Sequence, residues 1–568
     1  MYSSNYKSGY LVQIIIPMSG FGERFRRAGY NVPKPLIEID GKPIIGHVID
    51  MFPGEQDFIF ICNQDHLDHP DYNMRSILQK YCPTGKIIGI PAHKLGPIHA
   101  VRQIEHMLDA QKPVVVNYCD FTCYWDWHHF KRFVGVTGCV GAIPAYKGFH
   151  PHTLGSTNYA YMKEHNGWVS DIQEKQPYTD NRMEEYASSG TYYFSSAQIM
   201  SEAFRRTVDL QLNICGEYYV SLAYKPLLAD KKAVAVYPIQ HFMQWGTPAD
   251  VAEYNGWSST FRKLIASDQP SLEPVGSLVI PMAGLGQRFV NEGYKTTKPL
   301  IPVSGKPMVT QAINDLPPGL EYAFVLRSDM DACEELVKKL GQLYPQSVIE
   351  TIPGLTEGQA CTALIGLDAL KKVSSTDLGP ITFGACDNGA LYDVNAFKAL
   401  VDNPDIDVIV WGARGHANAV RHPNMFGWIH ADEQGKITNI SVKEPLESPE
   451  SDPIVTGTFT FRRAKDFRKV VSHLMDRNGR INGEFYIDSC INDAIALGLH
   501  CQLFELDHYI SWGTPNDLRT FEYWQSCFHK WDSHPYRLQL DPRVSQEALP
   551  SLEFGMRAIV PEIPENGI

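Results

Sequence analysis

Short apolar runs recur along the first part of the chain at residues 14–18, 58–61, 86–90 and 114–118, bounded by Gly, Pro, Asn or Asp. Runs this short, with little polar alternation, predict strands buried on both faces, as in a parallel sheet. Between them, residues 98–108 set apolar side chains at helical spacing. Alternating strands and helices predict an α/β fold of βαβ units around a mostly parallel sheet flanked by helices. The same order then restarts, with runs at 278–282, 322–326, 348–352 and 381–385.

The turn after the first run of each series carries the first chemistry. VQIIIPMSGFGERFRRAGYNVPKP contains Gly20, Gly22, Arg24 and Lys34, and SLVIPMAGLGQRFVNEGYKTTKP repeats them as Gly284, Gly286, Arg288 and Lys298, each 264 positions on. Glycines let backbone N–H groups approach an anion closely, while a guanidinium and an ammonium neutralise the charge that backbone dipoles cannot. Both turns therefore read as phosphate cradles. Later pairs keep a nearly constant register: Asp120 and Asp387, Gly190 and Gly457, Glu217 and Glu484, and Trp245 and Trp512 all lie 267 apart. A lone glycine turn after a strand is commonplace. Two copies followed by matched polar residues define a tandem repeat.

Length and charge narrow the function. With 568 residues and 44% hydrophobic content, the chain can bury two cores. The repeat divides it into residues 1–265 and 278–532, a Pro/Gly/Ser-containing linker at 266–277, and a C-terminal extension, 533–568, without a counterpart in the first copy. A net charge of −13 argues against a nucleic-acid surface but is compatible with a small anion in a local basic cradle. No basic leader precedes an apolar core and no run approaches 18 apolar residues, so neither a signal peptide nor a membrane span is expected, and the expected location is cytoplasmic. The 12 cysteines lack zinc spacing and read as reduced structural thiols.

Asp120 ends the run VVVNYCD and Asp387 ends ITFGACD. In an open α/β sheet ligands gather at the carboxyl ends of strands, so an acid there is placed to hold a metal. A single such Asp would more simply cap a turn; its recurrence beside a phosphate cradle favours the metal. About 55 residues further on lie Lys175 in DIQEKQP and Lys443 in NISVKEP, each with an acidic neighbour, Glu174 or Glu444. Read as more than surface lysines, they are point charges for a second phosphate. Glu217 and Glu484 follow Gly216 and Gly483; a buried polyol-binding glutamate and a helix-start acid are both open readings. In W-G-T-P-x-D, at 245–250 and 512–517, Thr, Pro and Asp fit the N-cap, N1 and N3 positions of a helix without any ligand.

With these residues in view, both halves resemble the sugar-phosphate nucleotidylyltransferases, the pyrophosphorylases that activate sugars and alditols. The resemblance covers about residues 10–260 and 275–525 and implies two tandem Rossmann-like nucleotidyltransferase domains of EC 2.7.7 type. It implies that Gly20, Gly22, Gly284, Gly286 and the Gly358-Gln359 loop bind the nucleotide. It gives Arg24, Lys34, Arg288 and Lys298 the transfer chemistry, Asp120 and Asp387 one or two Mg2+ ions, and Lys175 and Lys443 the acceptor phosphate; Glu217 and Glu484 stay candidate acceptor ligands on the reading above. The expected reaction joins an NTP, with CTP or UTP favoured, to a sugar or polyol phosphate for surface polysaccharide or glycoconjugate synthesis. A homo-oligomer is left open.

Two departures stand out. Gln244 and Ser511 occupy the place of the family's second metal-binding Asp. In the first half Gly96-Pro97-Ile98-His99-Ala100 stands against Gly358-Gln359-Ala360-Cys361-Thr362, losing an amide and a hydroxyl able to contact a base. The acceptor loops at 147–152 and 414–422 differ as well. The rival readings are a catalytic copy beside a nucleotide-sensing or scaffolding copy, and a nucleotide-sugar-dependent glycosyltransferase. The second needs no triphosphate grip, so Arg24 and Lys34 weigh against it.

Overall fold

A computed structural model describes residues 11–266, 272–373, 379–557 and 560–563. The described chain forms two compact units, one holding the residues through Ser258 with Lys530–His534, the other Ser259–His529 with Pro535–Gly555. Part of the 266–277 linker, residues 267–271, lies outside the described residues.

In the first unit β1 (Gln13–Met18), β2 (Phe58–Asn63), β3 (Lys86–Ile90) and β4 (Val114–Asn117) are parallel neighbours in the order β3-β2-β1-β4. Ile14 lies opposite Phe58 on one side and Val115 on the other. Helices cover both faces of this sheet, so Ile14, Ile15 and Ile16 are fully buried, and burial of such side chains supplies about 2 kcal/mol each. β5 (Gly141–Tyr146) and β7 (Val234–Pro238) form a second parallel pair. Between the two parallel sets, β6 (Thr191–Phe194) runs antiparallel to both β4 and β5. The chain reaches β6 through the hairpin Ala160–His165/Trp168–Glu174 rather than through a crossover helix, which permits the antiparallel return.

The second unit repeats this order strand for strand. β8 (Ser277–Met282), β9 (Glu321–Arg327), β10 (Val348–Ile352), β11 (Ile381–Phe383), β12 (Val408–Ala413), β13 (Ile454–Phe461) and β14 (Cys501–Glu505) run β10-β9-β8-β11-β13-β12-β14, with β13 the antiparallel insert. The fold class is therefore α/β in both units, parallel around the cradle strand and mixed beyond it.

One helix departs from expectation. The stretch 98–108 is a short helix, Pro97–Arg102, followed by a 3-10 turn, Glu105–Met107, whereas its counterpart Gln359–Val373 continues for 15 residues. Ile98, Val101 and Ile104 are buried at a strict spacing of three, which suits a 3-10 turn as well as an α-helix. Within the segment after residue 532, Pro535–Gly555 belongs to the second unit: Tyr536, Leu538 and Val544 are buried, and Arg543 pairs with the buried Asp315 at 2.8 Å.

Candidate functional site

Each parallel set delivers its cradle at a strand's carboxyl end. Gly22 is left-handed (φ 63°) and precedes the helix Glu23–Arg27; Gly286 does the same (φ 62°) before Gln287–Asn291. Only glycine takes that conformation without strain. Gly20 and Gly284 are different: neither has a positive φ, and a Cβ on either would meet no atom within 4 Å beyond its chain neighbours. The fold needs no glycine at these two positions. Arg24 and Arg288, one turn on, are exposed.

Beneath each cradle a lysine meets the strand-end acid. Lys34 donates to Asp120 Oδ2 at 2.8 Å, and Lys298 to Asp387 Oδ2 at 2.5 Å. Burial disfavours both ammonium groups, but the carboxylates more than offset it and hold both lysines above their ordinary range. Arg24 and Arg288 act on the same lysines in the opposite sense, which puts guanidinium, ammonium and carboxylate within one another's field. A two-stranded ribbon, Phe121–Tyr124 with His241–Gln244, carries the W-G-T-P turn back over the acid, where the Trp245 N–H donates to the Asp120 carbonyl at 2.7 Å. Asn388–Leu391 with His508–Ser511 repeats the arrangement, and the Trp512 N–H donates to the Asp387 carbonyl at 2.8 Å.

The turn itself is a helix start. Thr247 N–H donates to Asp250 Oδ2 at 2.8 Å, and Asp250 N–H to Thr247 Oγ1 at 3.2 Å; Thr514 and Asp517 repeat the exchange. Gln244 donates its amide to Asp250 Oδ1, and Ser511 its hydroxyl to Asp517 Oδ2. The two residues at the departed metal position therefore brace the caps.

Lys175 and Lys443 share a signature invisible in sequence. Lys175 (φ 59°) and Lys443 (φ 65°) are both left-handed, a conformation costing a non-glycine residue about 1 kcal/mol or more. Their backbone N–H groups donate to the carbonyls of Tyr159 and Phe426. Lys175 Nζ donates to Tyr219 OH at 2.6 Å, and Tyr219 OH in turn to Glu217. Lys443 Nζ donates to the Met425 carbonyl at 2.5 Å and lies 5.8 Å from the centre of the Tyr486 ring. Burial lowers the Lys443 ammonium, and Arg288 lowers it further against Asp488 and Glu484. In the second unit the cradle's Arg288 and Lys443 thus lie in one field. In the first, Arg24 acts on the Tyr219 phenol that Lys175 holds.

Glu217 is half-buried and Glu484 exposed, so neither is the enclosed polyol ligand of one sequence reading. Each sits in a turn closed by reciprocal backbone bonds with Ile214 or Ile481. Nothing in the sequence pattern singled out Tyr219, which links Lys175 to Glu217.

The loops at Gly96 and Gly358 are pinned to the turns that carry Glu217 and Glu484. A Cβ on Gly96 would come within 2.5 Å of Tyr218 N, and one on Gly358 within 2.5 Å of Phe485 N. Backbone bonds join the same partners: Tyr218 N–H to Leu95 O and Ile98 N–H to Tyr218 O, then Phe485 N–H to Glu357 O and Ala360 N–H to Phe485 O. Gln359 opens the helix Gln359–Val373 and is half-buried. Thr362 is buried, with its hydroxyl 2.7 Å from Thr356 Oγ1, so it steadies the loop and is not presented to a base. Cys119 and Cys386, beside the strand-end acids, are pushed up to about 11 and about 12 by burial, as inert thiols are.

The donor set bears on whether a divalent cation could be held here. Among the described residues no group of three or more His, Cys, Asp or Glu gathers as a cage. One strand-end carboxylate per unit, in reach of a phosphate cradle, suits Mg2+, which commonly takes one or two carboxylates and completes its shell with phosphate oxygens and water.

Comparison with known proteins adds the following. The family described as Nucleotidyl transferase matches residues 13–215. The chain is 24% identical over 281 residues to the mannose-1-phosphate guanylyltransferase catalytic subunit beta of Dictyostelium discoideum, covering 47% of this chain and 70% of that protein. It is also 24% identical over 247 residues to the Danio rerio protein of the same name, covering 42% of this chain and 62% of that one. A nucleoside-diphosphate-sugar pyrophosphorylase from Vibrio cholerae aligns over 43% of this chain and 98% of its own, at 22% identity and a TM-score of 0.36.

Proposed function

We propose that this chain, whose residues 13–215 match the nucleotidyl transferase family, is a nucleotidyltransferase that joins an NTP to a sugar or polyol phosphate, releasing pyrophosphate, and does so at two sites. One observation carries the reading: in both units a lysine pairs with one strand-end acid below a glycine cradle whose arginine acts on that lysine, and a left-handed lysine follows at the matching place. The first site lies within 1–265 and the second within 278–532.

The acceptor phosphate is already a nucleophile, so the protein has to bring two anions into line and cancel their repulsion. In this reading the backbone at Gly20 and Gly284 admits the triphosphate, while Arg24 and Arg288 neutralise the departing pyrophosphate. Lys34 and Lys298, kept charged by Asp120 and Asp387, face the phosphate chain, and Lys175 and Lys443 hold the acceptor phosphate. Asp120 and Asp387 would hold Mg2+, whose positive charge, when bound, draws phosphate oxygens together and offsets their charge. A nucleotide-activated sugar or polyol serves glycan-building transferases, which places the product in polysaccharide or glycoconjugate synthesis. Dependence on an NTP points to the cytoplasm, and among the described residues no helix is long and apolar enough to cross a membrane.

The deciding experiment measures pyrophosphate release with ATP, CTP, GTP and UTP against a panel of sugar and polyol phosphates. GTP joins the expected CTP and UTP because two relatives are guanylyltransferases by name. Silence across the whole panel would sink the proposal.

A further inference from the structure

In the first unit the loop between β3 and the helix Pro97–Arg102 is fastened to the cradle. Ser19, Phe21 and Glu23 alternate with Gly20 and Gly22 along the cradle turn, and two consecutive loop residues hold all three. The Leu95 N–H donates to His93 Nδ1 at 3.2 Å, so a neutral ring carries its hydrogen on Nε2, which donates to Ser19 Oγ at 3.1 Å. Lys94 Nζ stands 2.8 Å from Glu23 Oε1 and 5.7 Å from the centre of the Phe21 ring.

The second unit changes all five positions at once. Ala283, Leu285 and Gln287 replace the cradle residues, and, with Gly358 set against Gly96, Leu355 and Thr356 replace His93 and Lys94. Gln287 donates to Asn291 instead, and Thr356 to the Gly358 carbonyl. Leu285 and Leu355 are exposed, whereas Phe21 and His93 are half-buried. Among the described residues no hydrogen bond or ion pair joins that loop to the second cradle. The glycines, Arg24 and Lys34 recur unchanged, so the difference is confined to the fastening.

An exposed ion pair alone contributes little to stability. Lys94 and Glu23 are placed for something else. A Cβ on Gly20 or Gly22 would meet no atom within 4 Å, so the loop grips the flanks of the turn and leaves open the space an anion would take. Lys94 thereby brings an ammonium to the rim of that space, where a polyphosphate carries more charge than the single Glu23 carboxylate and competes for it.

We infer that Lys94 is a further polyphosphate-binding cation, special to the first unit, which exchanges Glu23 for a phosphate oxygen when the ligand enters, and that His93, through Ser19, is the positioning residue that holds it at the cradle. The first unit therefore grips the phosphate chain with a group the second lacks. This rests on the reading of the first unit as an NTP site.

The test uses the full chain with Lys298→Ala, which disables the second cradle, and titrates binding of inorganic tripolyphosphate and of ATP, CTP, GTP and UTP with their monophosphates. Lys94→Thr is expected to weaken tripolyphosphate and NTP binding about 10- to 100-fold and to leave monophosphate binding unchanged, and Lys94→Arg to keep most of the affinity. Ser19→Ala/His93→Leu should cost about 3- to 10-fold and add nothing once Lys94→Thr is present, because both act through one ammonium. Unchanged NTP binding in Lys94→Thr, or equal losses for NTP and monophosphate, overturns the inference and leaves the transferase reading standing. Losses that add overturn the part given to His93. A Lys298→Ala chain that binds no NTP while the unmodified chain does also overturns the inference. An unmodified chain that neither binds an NTP nor releases pyrophosphate overturns both readings.

Discussion

Replacing Gly20 and Gly284 together by Ala separates what the fold requires from what a ligand requires. At neither position is φ left-handed, and an added methyl meets no atom within 4 Å beyond the chain neighbours. The double variant should therefore fold at least as well as the parent, because each Gly→Ala change at a compatible position removes unfolded-state freedom worth about 0.4–1 kcal/mol. Activity should move the other way. A methyl where phosphate must approach the backbone removes a hydrogen bond to a charged group, about 1.5–3 kcal/mol, or roughly 10- to 100-fold in NTP KM. Denaturant unfolding and NTP titration of pyrophosphate release read the two quantities independently. Gly96→Ala supplies the contrast, since its Cβ would stand 2.5 Å from Tyr218 N with φ at 85°; overpacking there costs about 1–3 kcal/mol and the left-handed backbone about 1 more. An unchanged NTP KM in Gly20→Ala/Gly284→Ala would refute the cradle, and a loss of stability would refute the geometry.

Arg24→Ala and Arg288→Ala should each lower one unit's turnover by about 10²–10³ and spare the other; product analysis that finds all activity lost from either single change would require one composite site. Chelator treatment should stop pyrophosphate release, with Mg2+ restoring it, and Asp120→Asn or Asp387→Asn should each weaken that restoration in its own unit. Burial raises Asp315 to about 6 despite Arg543, so its protonated form is favoured in the folded state. Its contribution, about 3 kcal/mol, is present in full below about pH 4 and is lost as pH rises through about 6. Asp315→Asn should flatten that part of the stability profile, and a profile identical to the parent's would discard the assignment.

The cradle strands were legible because Ile14–Ile16 and Leu278–Ile280 must be buried on both faces, and only a covered parallel strand does that. The antiparallel insert β6 was not, since its direction depends on how the hairpin before it returns. The W-G-T-P-x-D caps were readable because capping is local. Tyr219 was obscure for the opposite reason: it takes its role from Lys175, 44 positions away, and alternation of apolar and polar positions carries no information about such a partner. The left-handed backbone at Lys175 and Lys443 likewise has no compositional mark, because lysine is an unusual residue to find there.

The placing of Arg543 has a consequence for synthesis. A ribosome that has made every strand of the second sheet has still not supplied the guanidinium for Asp315, nor Tyr536, whose ring is buried and whose hydroxyl donates to Asp541 at 2.8 Å. At about 5–20 residues per second, the second unit waits seconds with an unneutralised carboxyl group in its interior. A nascent chain stalled before Arg543 should remain open to protease, and emergence of Arg543, rather than of the final strand, should mark the moment of protection.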